Sequence, residues 1–388
     1  MTPFAKGLTR TGLLLLVPTA LAAAGRGDAT PGQPPQGRRA FFLERSFFFV
    51  WHPERSVLAA PPYYTEEDRK RDDDQIMFEA LPAPHLFLQN RLAFDDLKCG
   101  TRGDSSCPTK PATLPKFLGG RTLPKFLGDR SVISFTFMSR LRQLGGFSSP
   151  LRNPSFMPRF SFQRLSVTNA GNGDFDSKKA IKVFGPQLVL WGHHSNGGAG
   201  CLFVEDDEPD CTDALPPERR TVNTRNGSFS TNYVKLAYFF QKGWPDRDAD
   251  KWMRKSWTLG AWVELNPGGW GPGALGPGQR AIYGPRRYGA SLELQHQVGK
   301  SRAPWNVSLN PTYEYIQFDD KPAAASSPHR WIVDLTAVKE DGAFKGWGLA
   351  VRFYQGQDFY NLLFVRDVRR LQVGLVVDQN SRLLKAGE

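Results

Sequence analysis

Residues 256–265 read "SWTLGAWVEL". Trp257, Leu259, Ala261, Val263 and Leu265 fall on one face of an extended chain. Ser256, Thr258, Gly260, Trp262 and Glu264 fall on the other. Successive side chains of a strand point to opposite faces, so this period of two marks a half-buried β-strand. The same alternation recurs downstream. Trp347, Leu349, Val351 and Phe353 alternate with Gly348, Ala350, Arg352 and Tyr354; Leu371, Val373, Leu375 and Val377 alternate with Arg370, Gln372, Gly374 and Val376. The stretches "RRYGASLELQHQV" (286–298) and "WNVSLNPTYEYIQF" (305–318) are extended, aromatics gather near strand ends, and Gly/Pro-rich turns such as "NPGGWGPGALGPGQ" (266–279) separate them.

The N-terminus places this pattern in a compartment. Lys6 and Arg10 precede "LLLLVPTALAAA" (13–24), a basic lead and a short apolar stretch ending in small residues. This reads as a secretory signal peptide, residues 1–24, cut after Ala24. A Pro/Gly-rich leader follows over 25–40. No later stretch offers about 18 consecutive apolar residues, so helical spans are not expected. The four cysteines fall as two close pairs, Cys99 with Cys107 and Cys201 with Cys211, which in an exported chain suggests two local disulfides. An exported chain of many alternating strands reads as an all-β transmembrane antiparallel β-barrel. The barrel is expected over 41–378, with loop insertions at 99–130 and 197–227 and a tail at 379–388. A soluble β-sandwich or barrel would alternate in the same way. The net charge of +12 suits anionic lipid headgroups, and no aromatic-plus-basic module for nucleic acid is visible. "TLPKFLGG" (113–120) and "TLPKFLGD" (122–129) are a tandem copy, read as a duplicated loop segment.

Chemistry concentrates at "HHSNG" (193–197), directly after the apolar run "QLVLW" (187–191). In a strand, i and i+2 share a face, so His193 lies on the face of Ser195 and His194 on the other. His193 is therefore the candidate base for a Ser195 nucleophile, and His194 an interior or loop histidine. Alternation predicts that the Ser195 face runs back through Trp191, Val189 and Gln187. A base needs an orienting group on its second ring nitrogen. The next strand, "GSFSTNYVKLAYFF" (227–240), carries Ser228, Ser230 and Asn232 on one face, which then turns apolar through Val234, Leu236, Tyr238 and Phe240. Antiparallel pairing brings the polar tips of both strands together above two apolar tails. On a barrel such a face points to lipid, so the serine would stand on the outer wall at headgroup height. The apolar strand becomes a landing surface for an acyl chain. The long 197–227 connection would face outside.

These residues resemble outer-membrane phospholipase A. The family's H-x-S-N-G motif is met by His193-His194-Ser195-Asn196-Gly197, its S-x-S-x-N block by Ser228-Phe229-Ser230-Thr231-Asn232, and its S-S-P-F-R block by "SSPLR" (148–152), in the same order. The resemblance covers roughly residues 75–378. It implies a bacterial outer-membrane barrel of twelve strands with a Ser-His-Asn triad on its exterior. It also implies calcium-dependent hydrolysis of phospholipid acyl esters, a phospholipase A1/A2 activity, and activation as a homodimer. Carried over by position, Ser195 is the nucleophile, His193 the base and acid, and Asn232 its orienter. Gly197 supplies an oxyanion N–H. The Ca2+ ligands fall on the carbonyl of Gly198, the hydroxyl of Ser228 and the carbonyl of Ser148 of the partner subunit. Oxygen donors suit that hard cation. Departures are visible: Gly198 stands where the family has Arg, the connection between the triad strands is longer, with "VEDDEPD" (204–210) within it, and a lipid-facing, dimer-bridging glutamine aligns with Met138. The rival expectations are a non-catalytic pore or adhesion barrel and a soluble secreted esterase.

Overall fold

The computed structural model describes residues 45–51, 54–57, 76–90, 131–144, 154–164, 166–169, 180–205, 208–210, 221–223, 227–244, 255–267, 275–299, 304–319, 327–340, 342–358, 364 and 367–378. The signal segment, the leader, the 99–130 insertion with its tandem copy, Ser148 and the C-terminal tail lie outside the described residues.

The strands are β1 (Ser46–Trp51), β2 (Glu54–Val57), β3 (Ile76–Leu81), β4 (His85–Asn90), β5 (Ser131–Leu144), β6 (Ser155–Arg164), β7 (Ser166–Asn169), β8 (Ile181–Ser195), β9 (Phe203–Glu205), β10 (Glu208–Asp210) and β11 (Thr221–Val222). They continue as β12 (Ser230–Trp244), β13 (Lys255–Leu265), β14 (Arg286–Val298), β15 (Trp305–Gln317), β16 (His329–Lys339), β17 (Trp347–Gln357) and β18 (Asp367–Val377), with one short helix, α1 (Pro277–Tyr283), before β14. β1 and β2 both pair with β18, β3 and β4 both pair with β5, and β6 and β7 both pair with β8, so each couple forms one stave. With these couples counted once, the large sheet has twelve antiparallel staves in the order β1-β3-β5-β6-β8-β12-β13-β14-β15-β16-β17-β18. Pairing of Ser46 with Val377 and Phe48 with Leu375 closes it. Closure leaves no unpaired edge, which a sheet in hydrocarbon requires.

The expected alternation sorts residues between lipid and lumen. Leu236, Leu259, Leu265, Leu292, Leu294, Leu309, Leu335, Leu349 and Leu375 are exposed on the outside. Trp191, Tyr288, Tyr315 and Trp331 ring one rim of this band. Trp244, Trp257, Trp305 and Trp347, on the same outward phase, ring the other. No helix of the described residues is long and apolar enough to cross a membrane. Here strands do so: an apolar outer band between two aromatic rims, wrapped around a charged lumen, is a membrane-spanning barrel of the outer-membrane type.

A twelve-stave barrel is too wide for apolar side chains to fill alone, and ion pairs bridge it. Asp358, just past β17, takes both guanidinium nitrogens of Arg142 at 2.7 and 2.8 Å and Arg370 at 2.6 Å. Glu79 accepts from Arg142 at 3.3 Å and from Gln372 at 2.6 Å. Glu314 holds Arg330 at 2.6 Å and Arg287 at 3.2 Å. Arg45 reaches across to Glu293 at 2.6 Å and to Asp378 at 2.8 Å. A buried charge stays stable only when it is paired in this way.

An apolar cluster sits behind the "HHSNG" end. Leu202, Phe203, Val222, Phe229, Leu275, Ile282, Tyr283 and Phe364 bury one another there. The 197–227 connection, expected as a loop, is thus partly folded: β9 pairs with β10 and β11 in a small sheet, and Phe203 and Val222 anchor it to α1. Cys201 is disulfide-bonded; its expected partner Cys211 lies outside the described residues.

Met138 does not face lipid. It pairs with buried Met157 and shares the inward phase of Thr136 and Arg142, so the dimer-bridging position expected there is corrected to the lumen face.

Candidate active site

The site is built where β8 meets β12. Ser195 lies directly opposite Ser230, His194 opposite Thr231 and His193 opposite Asn232. The antiparallel pairing expected from the two polar tips is therefore the one observed. His193 Nδ1 is 2.8 Å from Asn232 Oδ1. A carboxamide oxygen only accepts, so Nδ1 carries the proton and Nε2 is left as the basic nitrogen. The imidazole stacks on the outward-facing Trp191 ring at 5.9 Å and 14°, which fixes its plane. Asn232 is buried beneath this pair, 7 % exposed.

The face expected for Ser195 changes partway along β8, which corrects the alternation. Val189 and Gln187 are 2 % and 9 % exposed and point into the lumen. Leu190 and Trp191 are 51 % and 39 % exposed, two consecutive residues on the outside. The register explains it. On β12, Tyr233 pairs with Gly192 and Lys235 with Val189; on β6, Phe160 pairs with Trp191 and Ser161 with Val189. Both neighbours are one residue short against β8, so β8 carries a β-bulge at Leu190–Trp191. A bulge inserts one residue and reverses the phase beyond it. Below it Phe184, Pro186 and Leu188 face lipid; above it Trp191, His193 and Ser195 do. Just past the bulge, Gly192 is needed because a Cβ there would lie 2.2 Å from the ring of Tyr233.

His194 turns inward, as expected, and is 1 % exposed. Its Nδ1 is 3.1 Å from Tyr283 Oη, and it packs against Phe229 and Phe364. It belongs to the apolar cluster behind the site. The Tyr283 hydroxyl is raised above the ordinary phenol range, mainly by burial.

After Ser195 the chain turns through Gly197 at φ +64°, a conformation that suits a residue without Cβ. Asn196 makes the turn rigid. Its Nδ2 donates to Gly227 O at 2.7 Å, and its Oδ1 accepts from Gly198 N at 3.1 Å and from Phe229 N at 2.9 Å. One buried carboxamide thus pins Gly198 to the Ser228–Phe229 segment. Asn196→Ala strips three buried groups of their partner and should cost about 1–3 kcal/mol. A lower unfolding temperature with new protease cuts within 197–229 is the expected result; an unchanged digestion pattern would remove this role.

Two features differ from the sequence reading. No hydrogen bond joins Ser195 to His193 among the described residues; the hydroxyl that bonds Nε2 is Ser230 Oγ, at 3.5 Å. Motif spacing points to Ser195 alone, and only the cross-strand register reveals Ser230. Second, among the described residues no group of three or more His, Cys, Asp or Glu gathers for a metal. The expected ligands are carbonyl and hydroxyl oxygens and form no such group. Of these, Gly198 and Ser228 are held together by Asn196, with Ser228 exposed, while Ser148 lies outside the described residues. Neutral oxygen donors suit a hard cation that keeps water ligands.

No protein-family model matches the chain, and no curated protein does. Solved structures do. Outer membrane phospholipase A from Escherichia coli matches at 12 % identity and a TM-score of 0.40, covering 88 % of this chain and 93 % of that one. The Salmonella typhi outer membrane phospholipase dimer with bound calcium matches at 11 % identity and a TM-score of 0.39, covering 87 % and 93 %. Over most of its length and of theirs, the chain is similar to outer membrane phospholipase A.

Proposed function

We infer that the protein is a calcium-dependent phospholipase of the outer membrane, cleaving acyl ester bonds of phospholipids or lysophospholipids at the headgroup level of its outer leaflet. The observation that carries this reading is the 2.8 Å contact between His193 and Asn232 on the lipid-facing wall, beside exposed Trp191. The connections at this rim, 196–229, 266–285 and 318–328, are long. At the other rim 245–254, 299–304 and 340–346 are shorter, but 91–130, between β4 and β5, is the longest connection of the barrel. The outer leaflet therefore follows from the resemblance carried by the H-x-S-N-G and S-x-S-x-N blocks and not from connection length.

An acyl chain lies along Leu188, Leu190, Leu236 and Tyr238 and brings its ester carbonyl up to Ser195. His193 Nε2 takes the Ser195 proton as Oγ attacks the carbonyl carbon. The same imidazole returns that proton to the departing glycerol oxygen. Water, deprotonated by His193, then attacks the acyl-serine and frees the fatty acid. Asn232 holds the tautomer through the Nδ1–H bond without adding a charge. Gly197 N–H donates to the oxygen that becomes negative in the tetrahedral species. Gly198 O, Ser228 Oγ and Ser148 O of the partner subunit would hold Ca2+, which when bound adds positive charge near that oxygen. The third ligand makes the active form a homodimer.

A pore is the weaker reading, because ion pairs such as Arg45–Glu293 and Arg142–Asp358 cross the lumen. Hydrolysis of phospholipid in detergent, with calcium or a chelator, tests the proposal. His193→Ala should cut turnover by about 10⁴-fold, and chelation should remove most of it. His194→Ala should lower the unfolding temperature while turnover at low temperature stays within severalfold. A dead His194→Ala beside an active His193→Ala would overturn the assignment, as would a wild-type chain without turnover.

A further inference from the structure

The rim opposite Ser195 carries an arrangement that the chemistry above does not use. Lys242 on β12 sits directly opposite Lys182 on β8, and on its other side it faces Trp257 on β13. One pleat further down, Trp244 is opposite Lys255, which is in turn opposite His296 on β14. All of these share the outward phase of Leu236, Leu259 and Leu294. Lys242 Nζ and Lys255 Nζ lie 5.1 and 5.2 Å from the same Trp244 ring. Three ammonium groups and an imidazole thus occupy four adjacent staves at one height.

Like charges directly opposite on paired strands repel and destabilise the pairing. Sharing one indole face moderates this only in part. Among the described residues no carboxylate pairs with Lys182, Lys242 or Lys255. Among the described residues of this sector the usual remedy, alternating charge sign along the rim, is absent. A ligand of opposite charge would relieve the repulsion. The site faces lipid, presents ammonium donors from paired strands, and lies beside apolar Phe184, Phe240 and Trp257. An anion carrying acyl chains matches all of these.

We propose that Lys182, Lys242 and Lys255, gathered around Trp244, form a binding site for an anionic glycerophospholipid in the leaflet opposite the candidate active site. The phosphodiester sits between Lys182 and Lys242, the headgroup reaches Lys255, and the acyl chains run over Phe184 and Phe240. The site depends on the membrane-spanning barrel and not on the hydrolytic reading.

The test is lipid retention by the full chain in nonionic detergent, read by native mass spectrometry. Phosphatidylglycerol is titrated against phosphatidylcholine with the same acyl chains. Each basic residue near an anionic headgroup contributes roughly fivefold. At low salt the native chain should prefer phosphatidylglycerol by about tenfold or more, and less as salt rises. Lys242→Gln should lower that preference about fivefold, and the Lys182→Gln/Lys242→Gln/Lys255→Gln chain should lose it. Lys339→Gln, on the same rim outside this cluster, should leave it unchanged. Equal retention of the two lipids by the native chain would overturn the proposal. So would an equal loss from Lys339→Gln, which would mean diffuse charge without a site. Should the triple variant fail to fold, Lys242→Gln against Lys339→Gln still decides.

Discussion

Ser195→Ala should lower phospholipid hydrolysis by about 10⁴-fold or more, while Ser230→Ala should cost about tenfold. The contrast matters because two hydroxyls flank His193. Ser230 is the one near Nε2, at 3.5 Å, yet Ser195 holds the better position for attack. It precedes the turn at Gly197, whose N–H can meet an oxyanion, and stands at the head of the strand whose lower half faces lipid. Ser230 enters from β12, with only Ser228 and Phe229 before it. Its place next to Nε2 suits a group that keeps the imidazole aligned before substrate arrives, when catalytic hydrogen bonds are often loose. A fluorophosphonate, which phosphonylates an activated serine with loss of fluoride, should label the peptide containing Ser195. Label on Ser230, with Ser195→Ala still active, would exchange the two roles.

Asp358→Ala should destabilise the barrel by about 3–5 kcal/mol, because it leaves Arg142 and Arg370 buried without their counterion. Both guanidiniums converge on this carboxylate, and Glu79 takes only part of the charge of Arg142. The temperature at which the folded, heat-modifiable band disappears from a gel measures the loss. A change below about 1 kcal/mol would mean that the network is not a mainstay of the lumen. The same residue sets a pH response. Burial alone would raise the Asp358 carboxyl, but Arg142 and Arg370 outweigh it and hold it well below the ordinary carboxylate range. A carboxyl depressed in the folded state contributes its stability fully above its unfolded value of about 3.9 and loses it as pH falls further. The wild type should therefore weaken below about pH 4, and Asp358→Asn should flatten that part of the profile.

Strand identity was legible because alternation is a local property of each segment. Trp257 to Leu265 and Leu371 to Val377 read correctly without any knowledge of their neighbours. The pairing of β8 with β12 was legible too, since two strands that are polar at one tip and apolar below match only one way. The bulge was not. Leu190 and Trp191 are ordinary apolar residues, and the extra residue exists only relative to β6 and β12. For the same reason Val189 and Gln187 were assigned to the wrong face, whereas Met138 was given the lipid side by its alignment with the family's glutamine and not by alternation. Ser230 was placed on the face of Asn232 but given no role, because its proximity to Nε2 comes from register, not from spacing along the chain. The folded part of the long connection was hidden by its Pro- and Asp-rich composition. Its anchors, Phe203 and Val222, find their partners on α1 and at Phe364, far away in sequence.

Leu190 gives β8 two allegiances that a regular strand lacks the freedom to combine. Were β8 paired regularly with every residue kept, the upper third of the strand would turn over: His194 would look out at the membrane, while His193 and Ser195 would be shut in among the aromatic rings at Tyr283. Between the candidate catalytic face and an inert wall, the difference is one residue that neither neighbouring strand pairs.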